Sequence, residues 1–79
     1  MTLIEYGRKQ KELGNFKSLE KVWQSIADEL GVHSSLIRSW AYKTAPVAPK
    51  RVIHLERATN GEVLRQHSRP DLYPPEDYL

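Results

Sequence analysis

A run of hydrogen-bonding side chains occupies residues 33 to 43 of this chain. The members that fall on one face of a helix are His33, Ser34, Ser35, Arg38, Ser39 and Tyr42, and Lys43 follows directly. Hydroxyl, imidazole and guanidinium groups can bond to base edges, and the same hydroxyls can bond to phosphates. The chemistry predicted for this segment is recognition of a nucleic acid.

The elements that must position these residues are two helices joined by a tight turn. The segment from Trp23 to Tyr42 has Ala27 where two helices would cross closely and Gly31 where a turn favours a positive φ. Apolar residues at the inward positions complete this predicted helix-turn-helix: Ile26, Leu30, Val32, Leu36, Ile37 and Trp40. The last four are expected to hold the second helix against the first. Trp23 and Trp40 both fall on inward stripes, which favours core packing over base stacking.

The rest of the chain predicts an all-α domain of about four helices. These helices are expected at about 2–12, 19–30, 34–43 and 49–59, and residues 62–65 could form a short strand. Ser18 is the expected N-cap of the second helix, and Pro49 suits the first turn of the fourth. Asn60 and Gly61 are expected to end that helix in a left-handed cap. Gly7 weakens the first helix.

Length and charge suit a small binding domain followed by a tail. At 79 residues the chain has room for one modest core, so dimerisation would add stability. Residues 1–69 carry 12 Lys and Arg against 7 acids, a net charge of +5, whereas residues 70–79 carry three acids and no base. We therefore expect a basic domain over 1–69, with its motif at 23–42, and an irregular, proline-rich acidic tail over 70–79. A basic surface suits a polyanion, although +5 is also ordinary for a soluble surface.

Other classes of protein are disfavoured by what the sequence lacks. The chain has no cysteine, and its three histidines are 21 and 13 residues apart with no further ligand at metal-binding spacing. It has no nucleophile beside a base, no glycine-rich phosphate loop and no paired carboxylates, so we expect neither an enzyme nor a cofactor. It has no apolar run of about 18 residues and no signal peptide, so we expect a cytoplasmic protein without a membrane partner.

From Trp23 onward the chain resembles the Cro-type repressors of lambdoid phages and prophages, including the antitoxin-like YdaS group. Besides the helix-turn-helix, the resemblance rests on PVAPKRVIHLERATNGEVLRQHSRPDLYP, a proline connector, a helix ending in LERATNGEV and a closing RPDLYP. It covers about 55 of the 79 residues. The resemblance implies a mostly four-helix domain that binds double-stranded operator DNA, usually as a homodimer, and represses transcription.

Two features depart from that family. His33 stands where the family commonly has a residue such as Ser to cap the recognition helix, although Ser34 could cap instead. The stretch 9–21 is longer than the usual run before the motif, which would either lengthen the second helix or insert a loop.

The resemblance also implies roles for the polar face. Ser34 and Ser35 lie at the end of the recognition helix that usually enters the major groove, where His33 is expected to make a polar contact. Arg38 lies one turn further on and is the best candidate for a guanine contact, because its planar fork can pair with O6 and N7 together. A solvated side chain or a phosphate contact is the alternative for Arg38.

Backbone contacts are expected around this reading end. Ser39 and Tyr42 lie further along the helix, where contacts to the DNA backbone are likelier than base reading, and Lys43 is expected to contact phosphate. Lys17 and Lys21 could also contact phosphate, but an ordinary solvated surface is favoured for both.

The ending RPDLYPPEDYL has three interpretations. It could be a frayed, solubilising tail, or its apolar residues could pack against the body or a second subunit, with Val63 and Leu64 paired across a two-fold axis. As a third interpretation, the acidic arm could bind another protein. The prediction from sequence is therefore a dimeric, sequence-specific repressor on an operator within a bacterial cell, and the alternative is an antitoxin-like or adaptor protein that binds a partner through its tail.

Overall fold

Five α-helices form over residues 1–74, the part of the chain that the computed structural model describes. They are α1 (Leu3–Glu12), α2 (Leu19–Leu30), α3 (Ser34–Ala41), α4 (Val52–Ala58) and α5 (Arg65–Ser68), and a 3₁₀ turn (Pro49–Arg51) leads into α4. The expected all-α class is confirmed. Within residues 1–74 there is no strand, so the short strand considered at 62–65 is wrong. That segment instead turns into α5, because the Val63 side chain is buried and its N–H donates to Oγ1 of Thr59 (3.2 Å).

Side-chain caps fix where the first two helices begin. Thr2 and Glu5 form a reciprocal capping box, in which the Glu5 carboxylate accepts from the backbone N–H of Thr2 at 2.8 Å. This hydrogen bond holds the pKa of Glu5 below its usual value. Ser18 caps α2 as expected, since its hydroxyl accepts from the backbone N–H of Lys21. The residues from Leu13 to Ser18 therefore form a loop between α1 and α2, and α2 does not extend back into it.

The turn between α2 and α3 depends on a glycine and on an arginine from further along the chain. Gly31 ends α2 with φ 70°, in the left-handed region where a Cβ would be strained. Arg51 donates from Nη1 to the carbonyl oxygen of Leu30 at 3.0 Å. It thereby satisfies one of the carbonyls that a helix leaves unpaired at its C-terminus. The end of α2 is thus tied to the start of α4.

The helix α3 is shorter than the sequence predicted. It ends at Ala41, and Lys43, expected to be its last residue, instead adopts φ 59°. The N–H groups of Lys43 and Thr44 fold back to the carbonyls of Trp40 (3.3 Å) and Ser39 (3.0 Å). This is the hydrogen-bond pattern of a Schellman cap, normally closed by glycine or asparagine, and Asn60 closes α4 in the same way with φ 55°.

The core centres on Trp23, which is 1% exposed. It is contacted by α1, where Gly7 brings the helix backbone so close that a Cβ would lie 2.9 Å from Cζ3 of the indole. The fully or largely buried apolar residues come from the first four α-helices and from two positions outside them, 47 and 63. They are Leu3, Tyr6, Val22, Trp23, Ile26, Ala27, Ile37, Trp40, Ala41, Val47, Val52, Leu55 and Val63. Burial raises the pKa of the Tyr6 phenol. Both tryptophans therefore lie in the core, as predicted.

An arginine clamp closes the structure at its C-terminal side. Arg69 donates from Nη1 to the carbonyl of Val47 (2.9 Å) and forms a bidentate pair with Asp71 (2.9 and 2.7 Å). The hydrogen bonds from Arg69 hold the pKa of Asp71 below its usual value. Beyond the clamp, Tyr73 packs against the core with the Arg65 guanidinium 5.6 Å from its ring centre.

The first residues of the predicted tail pack on the body only in part. Tyr73 packs on the body, whereas Leu72 is 45% exposed. Val63 is buried inside its own chain, so it is not available to pair across a two-fold axis, while Leu64 remains 40% exposed. The rest of the predicted tail, with Tyr78, Leu79 and two of its acids, lies outside the described residues.

Replacing Gly7 by Ala tests the close packing of α1 on the indole. Alanine favours a helix by roughly 1 kcal/mol over glycine. We nevertheless expect a net loss of stability of up to about 2 kcal/mol, because overpacking a rigid core costs about 1 to 3 kcal/mol and outweighs the gain in helix propensity. Thermal unfolding followed by circular dichroism measures it. Lys11→Ala, at an exposed site of the same helix, serves as the control, and a higher midpoint for Gly7→Ala would show that the indole yields.

Candidate nucleic-acid interface

The exposed face of α3 is set by the phase of its buried residues. Ile37, Trp40 and Ala41 are 0 to 5% exposed and face the core. At 3.6 residues per turn, the opposite side of the helix is centred on Ser35, Ser39 and Tyr42, with Arg38 on one flank and Leu36 on the other. The helix packs most extensively on α2. One helix thus supports the other and leaves a mostly polar face free.

His33, rather than Ser34, caps this helix. Its Nδ1 accepts from the backbone N–H of Ser35 at 3.1 Å and lies 2.9 Å from the Ser35 hydroxyl. The imidazole therefore substitutes for the hydroxyl or carboxylate that usually caps a helix. The side chain remains exposed, so it lies at the surface beside Ser35, but one ring nitrogen is engaged by the cap.

An acid from α2 joins two of the predicted contact residues. Glu20, in the first turn of α2, accepts from Nη1 of Arg38 at 3.1 Å and from the hydroxyl of Ser34 at 3.2 Å. The Arg38 and Glu20 side chains are 50% and 40% exposed. The structure therefore brings Ser34 and Arg38 together, as their spacing of one turn predicts, but it joins them through a residue that sequence reasoning missed.

The remaining predicted contacts follow the helix to its end. The Ser39 hydroxyl donates to the backbone carbonyl of Ser35 (3.0 Å), so in this state it is turned along the helix. Tyr42 packs its ring perpendicular to that of Trp23, with centroids 6.4 Å apart, and is still 50% exposed. Lys43 is exposed in the turn that follows. Lys17 and Lys21 are exposed too, before and within the first turn of α2.

Leu36 is a correction to the predicted core. It was expected to hold α3 against α2, yet it is 37% exposed. At 3.6 residues per turn it lies beside Trp40 at the edge of the buried stripe, on the side that turns toward the exposed face. An aliphatic side chain there can contact the methyl group of a thymine.

The same residues offer little to other chemistry. Within residues 1–74, no group of three or more His, Asp or Glu side chains is placed to hold a metal ion. His54, on α4, is exposed with Nδ1 3.0 Å from the carbonyl of Lys50. None of the helices described over 1–74 is both long and apolar enough to cross a membrane.

Comparison with known families identifies the region around this face. Residues 22–76, which are 55 of the 79 residues and run from within α2 through α5, match the family described as bacterial toxin YdaS. The chain belongs to the YdaS family. No curated protein and no solved structure matches the chain.

The extent of the YdaS match agrees with the architecture. It begins at Val22, just before Trp23, and contains all but the first turn of α2, together with α3, the proline connector and the Arg69 clamp. The helix α1 and the loop after it precede the match, as does Glu20. YdaS is a small, prophage-associated bacterial family, so the expected phage or prophage origin is supported at that level.

The unusual histidine cap can be tested directly. His33→Ala leaves the N–H of Ser35 without its acceptor, so we expect a loss of about 0.5 to 2 kcal/mol, whereas His33→Ser should retain the native free energy of unfolding or exceed it. Chemical denaturation of both variants measures the difference. Equal loss in the two variants would mean that the imidazole stabilises the protein by packing and not as a cap.

Proposed function

We propose that this YdaS-family protein is a sequence-specific, DNA-binding transcriptional repressor of Cro type. Its α3 enters the major groove, and its partner is double-stranded operator DNA. The observation that carries the proposal is the exposed face of α3, which offers two serine hydroxyls, a guanidinium and a phenol on a helix fixed by a buried stripe.

The arrangement of the helix pair supports this use. A recognition helix must project from the body and be held rigidly by the helix before it. Here α3 is held through Ile37 and Trp40, both buried, and through the Gly31 turn. The exposed lysines at 17, 21 and 43 flank the helix pair along the chain, where cations would contact phosphates.

Repression in this proposal is steric and depends on two copies of the chain. Two recognition helices separated by about one turn of DNA, roughly 34 Å, would occupy successive major grooves of an inverted repeat and exclude polymerase. Pairing two half-sites multiplies a modest single-domain affinity. The protein needs no cofactor for this mechanism.

Selection from a random duplex pool tests the proposal and the role of Arg38 together. At physiological salt we expect the native protein to enrich an inverted repeat whose half-sites are about ten base pairs apart. Arg38→Ala should weaken operator binding by about 1 to 3 kcal/mol and lose preference at one base pair of each half-site. Fluorescence anisotropy on operator and random duplexes gives the two affinities.

The control is Arg57→Ala, which removes the same charge from an exposed position on α4. It should slightly weaken binding to both duplexes and leave base preference unchanged. If Arg38→Ala loses the same amount of binding free energy on operator and on random DNA, Arg38 contacts phosphate and does not read a base. Failure of the native protein to enrich any sequence would overturn the proposed function.

A second candidate is favoured by the description of the family as a bacterial toxin. In it, the chain acts in a toxin or antitoxin pair, and the acidic segment after residue 70 binds the protein partner. If the chain is the toxin of such a pair, induced expression in a bacterium should arrest growth, and a chain truncated after Pro74, which keeps Arg69, Asp71 and Tyr73, should lose the effect. Growth arrest that persists in the truncated chain but vanishes with Arg38→Ala would assign toxicity to DNA binding instead.

A further inference from the structure

Glu20 is an acid placed on the face that the proposed function assigns to DNA. Each of its carboxylate oxygens is used, one by the Ser34 hydroxyl and the other by Nη1 of Arg38. Those two donors lie one turn apart on α3, whereas the acid comes from α2. The contact therefore crosses between the two helices of the motif.

Affinity for DNA does not account for an acid at this place, and stability accounts for only part of it, since an acid in the first turn of a helix contributes about 0.3 to 1 kcal/mol wherever its side chain is directed. A carboxylate beside phosphates opposes binding to any DNA, because it adds a like charge where cations are favoured. An ion pair as exposed as this one contributes little to folding, since solvent screens it and two long side chains must be ordered. The contact with α3 has a separate effect, which is on the position of the arginine.

We propose that Glu20 is a positioning residue that fixes the Arg38 guanidinium for one guanine and so determines base preference. This inference rests on the proposed function. With Nη1 bonded to the carboxylate, the edge formed by Nε and Nη2 remains to present two parallel N–H groups to O6 and N7 of a guanine.

The same contact limits the alternatives open to Arg38. A free arginine on a DNA-binding surface can swing to a phosphate, where it adds affinity for every sequence. Held by Glu20, the side chain gives up that freedom before binding, so less conformational entropy is lost on the operator. The Ser34 hydroxyl completes the arrangement, because it holds the second carboxylate oxygen.

The test compares base preference in five proteins: the native chain, Glu20→Ala, Glu20→Gln, Arg38→Ala and the double variant. Glu20→Ala should tighten binding to random DNA and reduce guanine preference at the Arg38 position by about two- to tenfold, the range expected for releasing one ordered side chain. Glu20→Gln keeps an acceptor oxygen and should retain part of the preference. The double variant should match Arg38→Ala, since Glu20 acts through Arg38.

Asp28→Ala is the matched control, because it removes the same charge from an exposed site further along α2. It should tighten random binding and leave the preference unchanged, which separates a charge effect from a positioning effect. Thermal midpoints of the Glu20 variants should stay within a few degrees of the native value, as expected for an exposed pair.

The outcomes distinguish failure of the positioning role of Glu20 from failure of the proposed DNA-reading function. If Glu20→Ala keeps the native guanine preference while Arg38→Ala loses it, Glu20 is not a positioning residue and the DNA-reading function stands. An additional loss of preference in the double variant would also overturn the inference, because Glu20 would then act independently. If Arg38→Ala leaves the guanine preference intact, Arg38 does not read a base, and the positioning role proposed for Glu20 is rejected as well.

Discussion

Burial of the Trp23 indole is the constraint on which the rest of the structure depends. A side chain of this size can be 1% exposed only if several elements close around it. The backbone of α1 does so at Gly7, and the Tyr42 ring does so at the end of α3. One residue of α2 therefore packs against both α1 and the end of α3. The orientation of the polar face of α3 follows from that packing.

Sequence alone predicted most of this framework because the signals are local and repeated. The apolar stripe of α2, the cap at Ser18 and the positive φ at Gly31 each follow from residue type and spacing, and all are present. The left-handed residue after α4 is confirmed at Asn60. Gly7 shows the limit of such reasoning, because the property that weakens a helix in isolation is the one that lets α1 approach an indole.

Tertiary contacts explain what the sequence could not predict. Lys43 has no intrinsic preference for φ 59°, so nothing in its type indicated that α3 would end before it. The link from Glu20 to Arg38 spans 18 positions and two helices, beyond the reach of periodicity. The partial exposure of Leu36 could have been predicted, since its position on the helix relative to Ile37 and Trp40 places it at the margin of the core. The base and phosphate contacts themselves remain predictions.

The Arg69 clamp has a consequence for the order in which this domain forms. The α2–α3 pair is built from neighbouring stretches of chain, whose contacts close short loops and form early. The carbonyl of Val47, by contrast, gains its partner only when a side chain 22 residues later folds back. During synthesis from the N-terminus, α2 and α3 are made before the arginine that secures the connector behind them. Because Arg69 follows every helix of the described chain, its bond to Val47 is among the last contacts that this part of the chain can complete.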